Sequence, residues 1–279
     1  MPRAADRERP GGRSPSPLSE SLVKVPAVQT YYRVPEVLEA LRSIVSGDLS
    51  AGDDVRRFEQ AWARMLNVEA CTTTAGARVA LARALRALDL PPGSGVLMTP
   101  INPAEMVEAV RAAGMRPILV DMDPATLFHD PQVVARAARP DVRAILFTYL
   151  YGLVPATLDP VLAFAKDREL LVIEDISQAI GAEVRGRPLG TLGDLGIVSF
   201  SSFKVVSSLG GGAVFGPAVR VQRCRTAGPD AAPPRARFLV LIAKILAHQV
   251  LTGPILYPTF MFPLVRALGV AAPDLLERL

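Results

Sequence analysis

The sequence predicts an α/β protein, with a mostly parallel sheet covered by helices on both faces and a short helical C-terminal appendage. Apolar runs at 95–99, 144–149 and 170–174 lack the polar alternation of strands that face water on one side. They alternate with stretches whose apolar residues recur at spacings of three and four, the mark of covering helices. Half of the 279 residues are apolar, enough to fill a large core.

Along the chain, residues 1–22 are rich in Pro, Gly, Ser and mixed charge, and cannot bury enough apolar surface to order themselves. A mobile tail is expected there. A helix is predicted over 35–44, broken by the glycines of 47–52. Asp53 or Asp54 is then placed to cap a helix with Val55, Phe58, Trp62 and Met65 on one face, Trp62 being the core anchor. A strand over 68–72 leads through Gly76-Ala77-Arg78 into a helix with Val79, Leu81, Leu85 and Leu88 inward. After the strand at 95–99, Asn102 is predicted to cap a helix with Pro103 at its first position and Glu105 completing a capping box. Strands at 117–121, 144–149 and 170–174 then alternate with helices at 131–138 and 158–166.

A Pro- and Arg-rich linker over 228–237 leads to an apolar helix at 238–251 and a proline-broken apolar run to Val270, too interrupted to cross a bilayer as one helix. The domain reading is therefore a tail over 1–22, an α/β domain over 23–227 and a helical segment over 228–279. Residues 238–270 can be read as a buried dimer arm, or as an element that contacts a membrane surface or a partner.

Charge and composition narrow the function. The 31 basic and 27 acidic residues are dispersed, with few aromatics, which gives no support to nucleic-acid binding. Two cysteines, Cys71 and Cys224, and two histidines make neither a disulfide framework nor a structural metal site. The N-terminus lacks the apolar stretch of a secretory signal, so a reducing, cytoplasmic setting is expected.

The chemistry concentrates between Leu171 and Phe215. Asp175 follows an apolar strand at the end where open α/β sheets bind ligands, although a cap or ion pair would place an aspartate there as well. Lys204 sits among Ser, Phe and Val with no acid nearby in sequence, a setting that favours the neutral amine needed for a Schiff base. A snorkelling lysine is the plainer reading of any one such residue. Ser199 and Ser201, with the backbone N–H groups at the helix start of Gly76-Ala77-Arg78, can bind a phosphate. The glycines at 210–212 permit a tight turn before a strand at 213–215.

Taken together, Gly47-Asp48-Leu49-Ser50, Phe58-Glu59, Val120-Asp121-Met122-Asp123-Pro124, Leu150-Tyr151-Gly152, Glu174-Asp175-Ile176-Ser177-Gln178-Ala179, Gly193-Asp194 and Ser199-Phe200 before Lys204 resemble the DegT/DnrJ/StrS sugar aminotransferases. That resemblance, over about residues 25–216, implies a fold-type I pyridoxal-phosphate transferase domain. It implies amino transfer from glutamate to a nucleotide-linked keto-sugar, and a homodimer. By position it makes Lys204 the Schiff-base lysine, Asp175 the partner of the pyridine nitrogen, Gln178 a ring-side contact and Ser199 a phosphate ligand. Gly76-Ala77-Arg78 stands where the family has Ser-Gly-Thr, and Ile101-Asn102-Pro103-Ala104-Glu105 supplies no ring-stacking aromatic. A truncated or divergent C-terminal domain is also expected. The alternative is a catalytically impaired relative acting as a binding or assembly subunit.

Overall fold

The computed structural model describes residues 32–46, 52–201, 204–208, 210–228 and 235–264. The expected N-terminal tail and most of the glycine break at 47–52 lie outside them. Two compact units are present, Thr30–Ile245 and a second that includes residues 246–264.

The chain begins with α1 (Val34–Ser46), α2 (Asp53–Leu66), β1 (Ala70–Thr74), α3 (Ala77–Ala87), β2 (Gly95–Met98) and α4 (Ala104–Ala112). It continues with β3 (Arg116–Leu119), the hairpin of β4 (Met122–Asp123) and β5 (Phe128–His129), α5 (Pro131–Ala137), β6 (Val142–Thr148) and α6 (Leu158–Asp167). Then follow β7 (Leu171–Asp175), the hairpin of β8 (Glu183–Val184) and β9 (Arg187–Pro188), β10 (Leu195–Ser199), β11 (Gly212–Gly216) and α7 (Ala218–Thr226). Last come α8 (Arg235–Leu251) and a π-helical turn, Tyr257–Met261.

Seven strands form the main sheet in the order β1-β11-β10-β7-β6-β2-β3. The pairs β10–β7, β7–β6, β6–β2 and β2–β3 are parallel, and β11 runs antiparallel to both β10 and β1. The reversal into β11 uses Gly210 and Gly211, whose φ values of +133° and +88° suit only glycine. Successive strand residues point to opposite faces. Ile145 and Phe147 thus enter one core with Trp62, Leu158 and Val161, while Ala144 and Leu146 enter the other with Leu81, Leu85 and Val110. The doubly covered, mostly parallel sheet matches the expectation.

Local details differ from it. Neither Asp53 nor Asp54 caps α2; Gly52 occupies the N-cap with no side-chain bond, and Arg56 and Arg57 pair with the two aspartates across the first turn. Met65 is exposed, because Ala63 and Leu66 take the inward positions beside Trp62. Pro103, not Asn102, is the N-cap of α4, and the Asn102 side chain turns back to Thr99 and Thr148. Helix α8 begins at Arg235, inside the stretch read as linker. The two short hairpins have strands of two residues, too short for any periodicity to announce them.

Candidate active site

The apolar run of β7 ends on Asp175, which is buried and stands in register with Thr148 of β6 and Ile197 of β10. The backbone N–H of Ser177 donates to Asp175 Oδ1 at 2.9 Å, an Asp-x-Ser turn that stops the strand. Ser177 Oγ accepts from Ser199 N at 2.9 Å, so one serine joins the end of β7 to the end of β10. Burial pushes the Asp175 carboxyl up, opposed by the hydrogen bonds from Ser177 and by the positive charge of Lys204. The lysine and the carboxylate, 29 positions apart in sequence, therefore share one electrostatic environment.

Lys204 is half-buried in the loop between β10 and β11. Its N–H donates to Ser201 O at 3.0 Å, and the loop closes through Phe200 N to Gly211 O and Ser208 N to Phe200 O, both 2.9 Å. The Phe200 ring anchors the loop edge-on against Trp62 and Phe58, at centroid distances of 4.9 and 5.3 Å. The described part of the lysine loop thus starts from a buried aromatic cluster.

Ser199 pairs with Gly212 of β11, and Gly212 in turn with Thr74 of β1. A Cβ on Gly212 would lie 2.8 Å from Gly76 C and 2.9 Å from Ala77 N. The start of α3 thus abuts the strand next to Ser199, which brings Ser199 and Gly76-Ala77 to one corner. Gly76 is the N-cap and offers no side-chain bond to the first turn, so that turn's backbone donors keep their capacity for an anion. Arg78 lies apart from this corner in its surroundings: it is exposed and lines a cavity of about 570 Å³ between α3 and α4 with Arg86, Glu105 and Glu108.

Gln178 is half-buried, and its Oε1 accepts from Tyr151 N at 3.3 Å, tying the end of β7 to the loop after β6. Tyr151 has φ +53°, an uncommon conformation for a tyrosine, and its side chain is 75% exposed. Asn102 accepts from Thr148 Oγ1 at 2.9 Å and donates to Thr99 O at 3.1 Å, so the turn after β2 is held against the end of β6. Ser177, Thr148 and Asn102 join this end of the sheet without being marked as site residues by the sequence. Only the Asp-x-Ser spacing was a readable signal; the other two depend on strand register. A cavity of about 660 Å³ opens at the opposite end of β7, beside Leu171 and Asp194, where Asp159 pairs with Arg185 and Asp194 with Arg220.

Chemically, the arrangement offers a buried carboxylate, a primary amine whose charge reaches it, and a corner of hydroxyl and backbone donors. Among the described residues no cluster of His, Cys, Asp and Glu could hold a metal ion.

Comparison with known proteins bears on the same elements. Residues 33–222 match the model of the DegT/DnrJ/EryC1/StrS aminotransferase family. The chain is 36% identical over 180 residues to the L-glutamine:2-deoxy-scyllo-inosose aminotransferase of Micromonospora echinospora, covering 64% of this chain and 43% of that one. It is 33% identical over 165 residues to the GDP-perosamine synthase of Caulobacter vibrioides, covering 59% and 44%. Among solved structures it resembles the sugar aminotransferase CalS13 of Micromonospora echinospora, with TM-score 0.66 and 29% identity over 77% of this chain and 61% of that one. It also resembles DesI, determined in the presence of its TDP-sugar product, with TM-score 0.67 and 27% identity over 81% and 62%. The chain spans about half the length of the curated relatives it matches. It belongs to the DegT/DnrJ/EryC1/StrS aminotransferase family.

Proposed function

We propose, on the premise of that membership, that the chain is a pyridoxal-phosphate-dependent aminotransferase that moves an amino group from glutamate or glutamine to a nucleotide-linked keto-sugar. The observation that carries this is the buried Asp175 carboxylate under the charge of Lys204, at the carboxyl end of β7. The donor set fits the cofactor. Asp175 would hold the protonated ring nitrogen, Gln178 would lie at the ring side, and Ser199 with the backbone N–H groups of Gly76, Ala77 and Arg78, the Arg78 side chain pointing elsewhere, would take the phosphate. When bound, pyridoxal phosphate supplies an electron sink for the carbon that gains or loses the amine. Lys204 would hold the cofactor through Nζ and would carry a proton at that nitrogen. Ser177 keeps the Asp175 carboxylate oriented, with its own hydroxyl fixed by Ser199 N. The names of relatives lend support: they include aminotransferases of a dTDP-linked and a UDP-linked dehydro-sugar, and an L-glutamine:2-deoxy-scyllo-inosose aminotransferase.

We further propose a homodimer. Tyr151, Leu153 and Val154 after β6, and Val205 beside Lys204, are exposed large side chains at the edge of the site, as a second copy lying over it would require.

The test is direct. Incubation with pyridoxal phosphate should give a visible absorbance band that borohydride fixes onto Lys204, and Lys204→Ala should remove both. Amine transfer from either amino acid to UDP-, GDP- or dTDP-linked keto-sugars should follow. Absence of attachment rejects the reading. Attachment without transfer identifies a non-catalytic binding subunit instead.

A further inference from the structure

Helix α8 is apolar on its exposed side as well as on its less exposed one. Its exposed positions include Leu239, Val240, Ala243, Leu246, Ala247 and Val250, which recur at intervals of three and four and form one continuous stripe. Val250 is 64% exposed, and Lys244 is exposed beside the stripe. The polar His248 and Gln249 lie on the less exposed side, with Phe238, Leu241 and the buried Ile242. Beyond the helix, Ile255 and Phe260 are 78% and 71% exposed, and Leu264 is exposed too.

Charge decides what covers such a stripe. From Ala231 to Pro273 the sequence has no Asp or Glu, while Arg235, Arg237, Lys244 and Arg266 are all basic. A second copy of the stripe would set cation against cation, with no acid in the segment to offset it. An anionic lipid surface supplies both the apolar phase and the opposite charge. No helix among the described residues is long and apolar enough to cross a membrane, and Pro254, Pro258 and Pro263 interrupt the segment after α8.

We propose that the apolar stripe of α8 forms a docking surface for a membrane with anionic headgroups, lying in the interface without spanning it. Leu239, Val240, Leu246 and Val250 enter the acyl boundary, and Lys244 reaches the headgroups. This goes beyond the amino-transfer reading and does not depend on it, since none of these residues belongs to the cofactor site.

Flotation of the full chain with vesicles tests it, using phosphatidylcholine alone and phosphatidylcholine with a quarter of phosphatidylglycerol. The expected result is partition into the anionic vesicles about tenfold above the neutral ones, reduced by high salt. The double variant Val240→Asp with Val250→Asp should abolish flotation, with an unchanged far-UV circular dichroism melt to show that it still folds. Lys244→Glu should weaken binding to the anionic vesicles alone. A chain that floats with neither vesicle overturns the proposal, as does a double variant that floats as well as the original. If the chain does not float but forms a dimer that Val250→Asp dissociates, the occupant is a second copy and the proposal is wrong.

Discussion

The hydroxyl of Tyr149 donates to Glu174 Oε2 at 2.7 Å in the buried space directly before the candidate site. Glu174 also accepts from the backbone N–H groups of Gly190, Leu192 and Gly193, at 3.0, 2.7 and 2.6 Å. One carboxylate therefore holds the 190–193 turn against β7. Burial pushes its own pKa up, and the four donors oppose that shift.

Removing one donor and removing the acceptor should differ sharply. Tyr149→Phe is expected to lower stability by about 1–2 kcal/mol. Glu174→Leu strands three backbone donors and a hydroxyl, and should cost about twice that or more. Urea denaturation of the two variants checks the order. Equal losses would show that the turn does not depend on the carboxylate.

His129 should make the fold sensitive to acid. It is fully buried against Phe128 and Phe147, neither ring nitrogen has a hydrogen-bond partner, and burial lowers its pKa to about 3. The unfolded chain takes up this proton near pH 6.5 and the folded chain does not until about pH 3. The contribution is thus complete above pH 6.5 and is lost as pH falls towards 3. Between pH 8 and pH 5 this residue should remove about 2 kcal/mol. His129→Leu should flatten the dependence by that amount relative to the original chain, as measured by chemical denaturation at both pH values.

Two glycines at the corner beside Ser199 should respond differently to alanine. A Cβ on Gly212 would lie 2.5 Å from Val198 O and under 3 Å from backbone atoms of Gly76 and Ala77, so the backbone itself must move. Gly212→Ala should cost about 2–3 kcal/mol and weaken pyridoxal-phosphate binding on the order of tenfold. Gly76 has open space around its Cβ position and an extended φ of 163°, and Gly76→Ala should leave stability within about 0.5 kcal/mol. Cofactor titration and thermal melting of both variants decide this.

Glu59 links three elements. Its Oε1 accepts from Thr73 N at 2.7 Å, and its Oε2 accepts from Arg225 at 2.7 Å, so α2 is held to β1 and α7. The carboxylate is buried while Arg225 is half-exposed, which limits the value of the ion pair itself. Glu59→Ala should destabilise the chain by about 2 kcal/mol, mostly through the unpaired Thr73 N–H. Arg225→Ala should cost less than half of that. The reverse order in denaturant melts would assign the stability to the ion pair.

Much of this architecture is written in local pattern. The runs of β2, β6 and β7 are apolar on both faces and fit only strands covered on both sides, and Leu81 with Leu85, or Val161 with Ala165, marks the inward face of a helix. Asp175 and Lys204 were legible as a candidate pair because a carboxylate closes an apolar strand and a lysine stands among neutral residues. These signals act over one or two turns of chain, the range in which side-chain periodicity and backbone preference operate. What only the tertiary structure decided is long-range. The insertion of β11 antiparallel between β1 and β10 sets Thr74, Gly212 and Ser199 side by side, and the approach of α3 to Gly212 follows from that register. Ser177 bridging Asp175 to Ser199, and Asn102 turning from its helix to Thr148, depend on which strands are neighbours. Hydrogen bonds between strands and the exclusion of a Cβ are satisfied by partners far away in sequence, so no local window contains them.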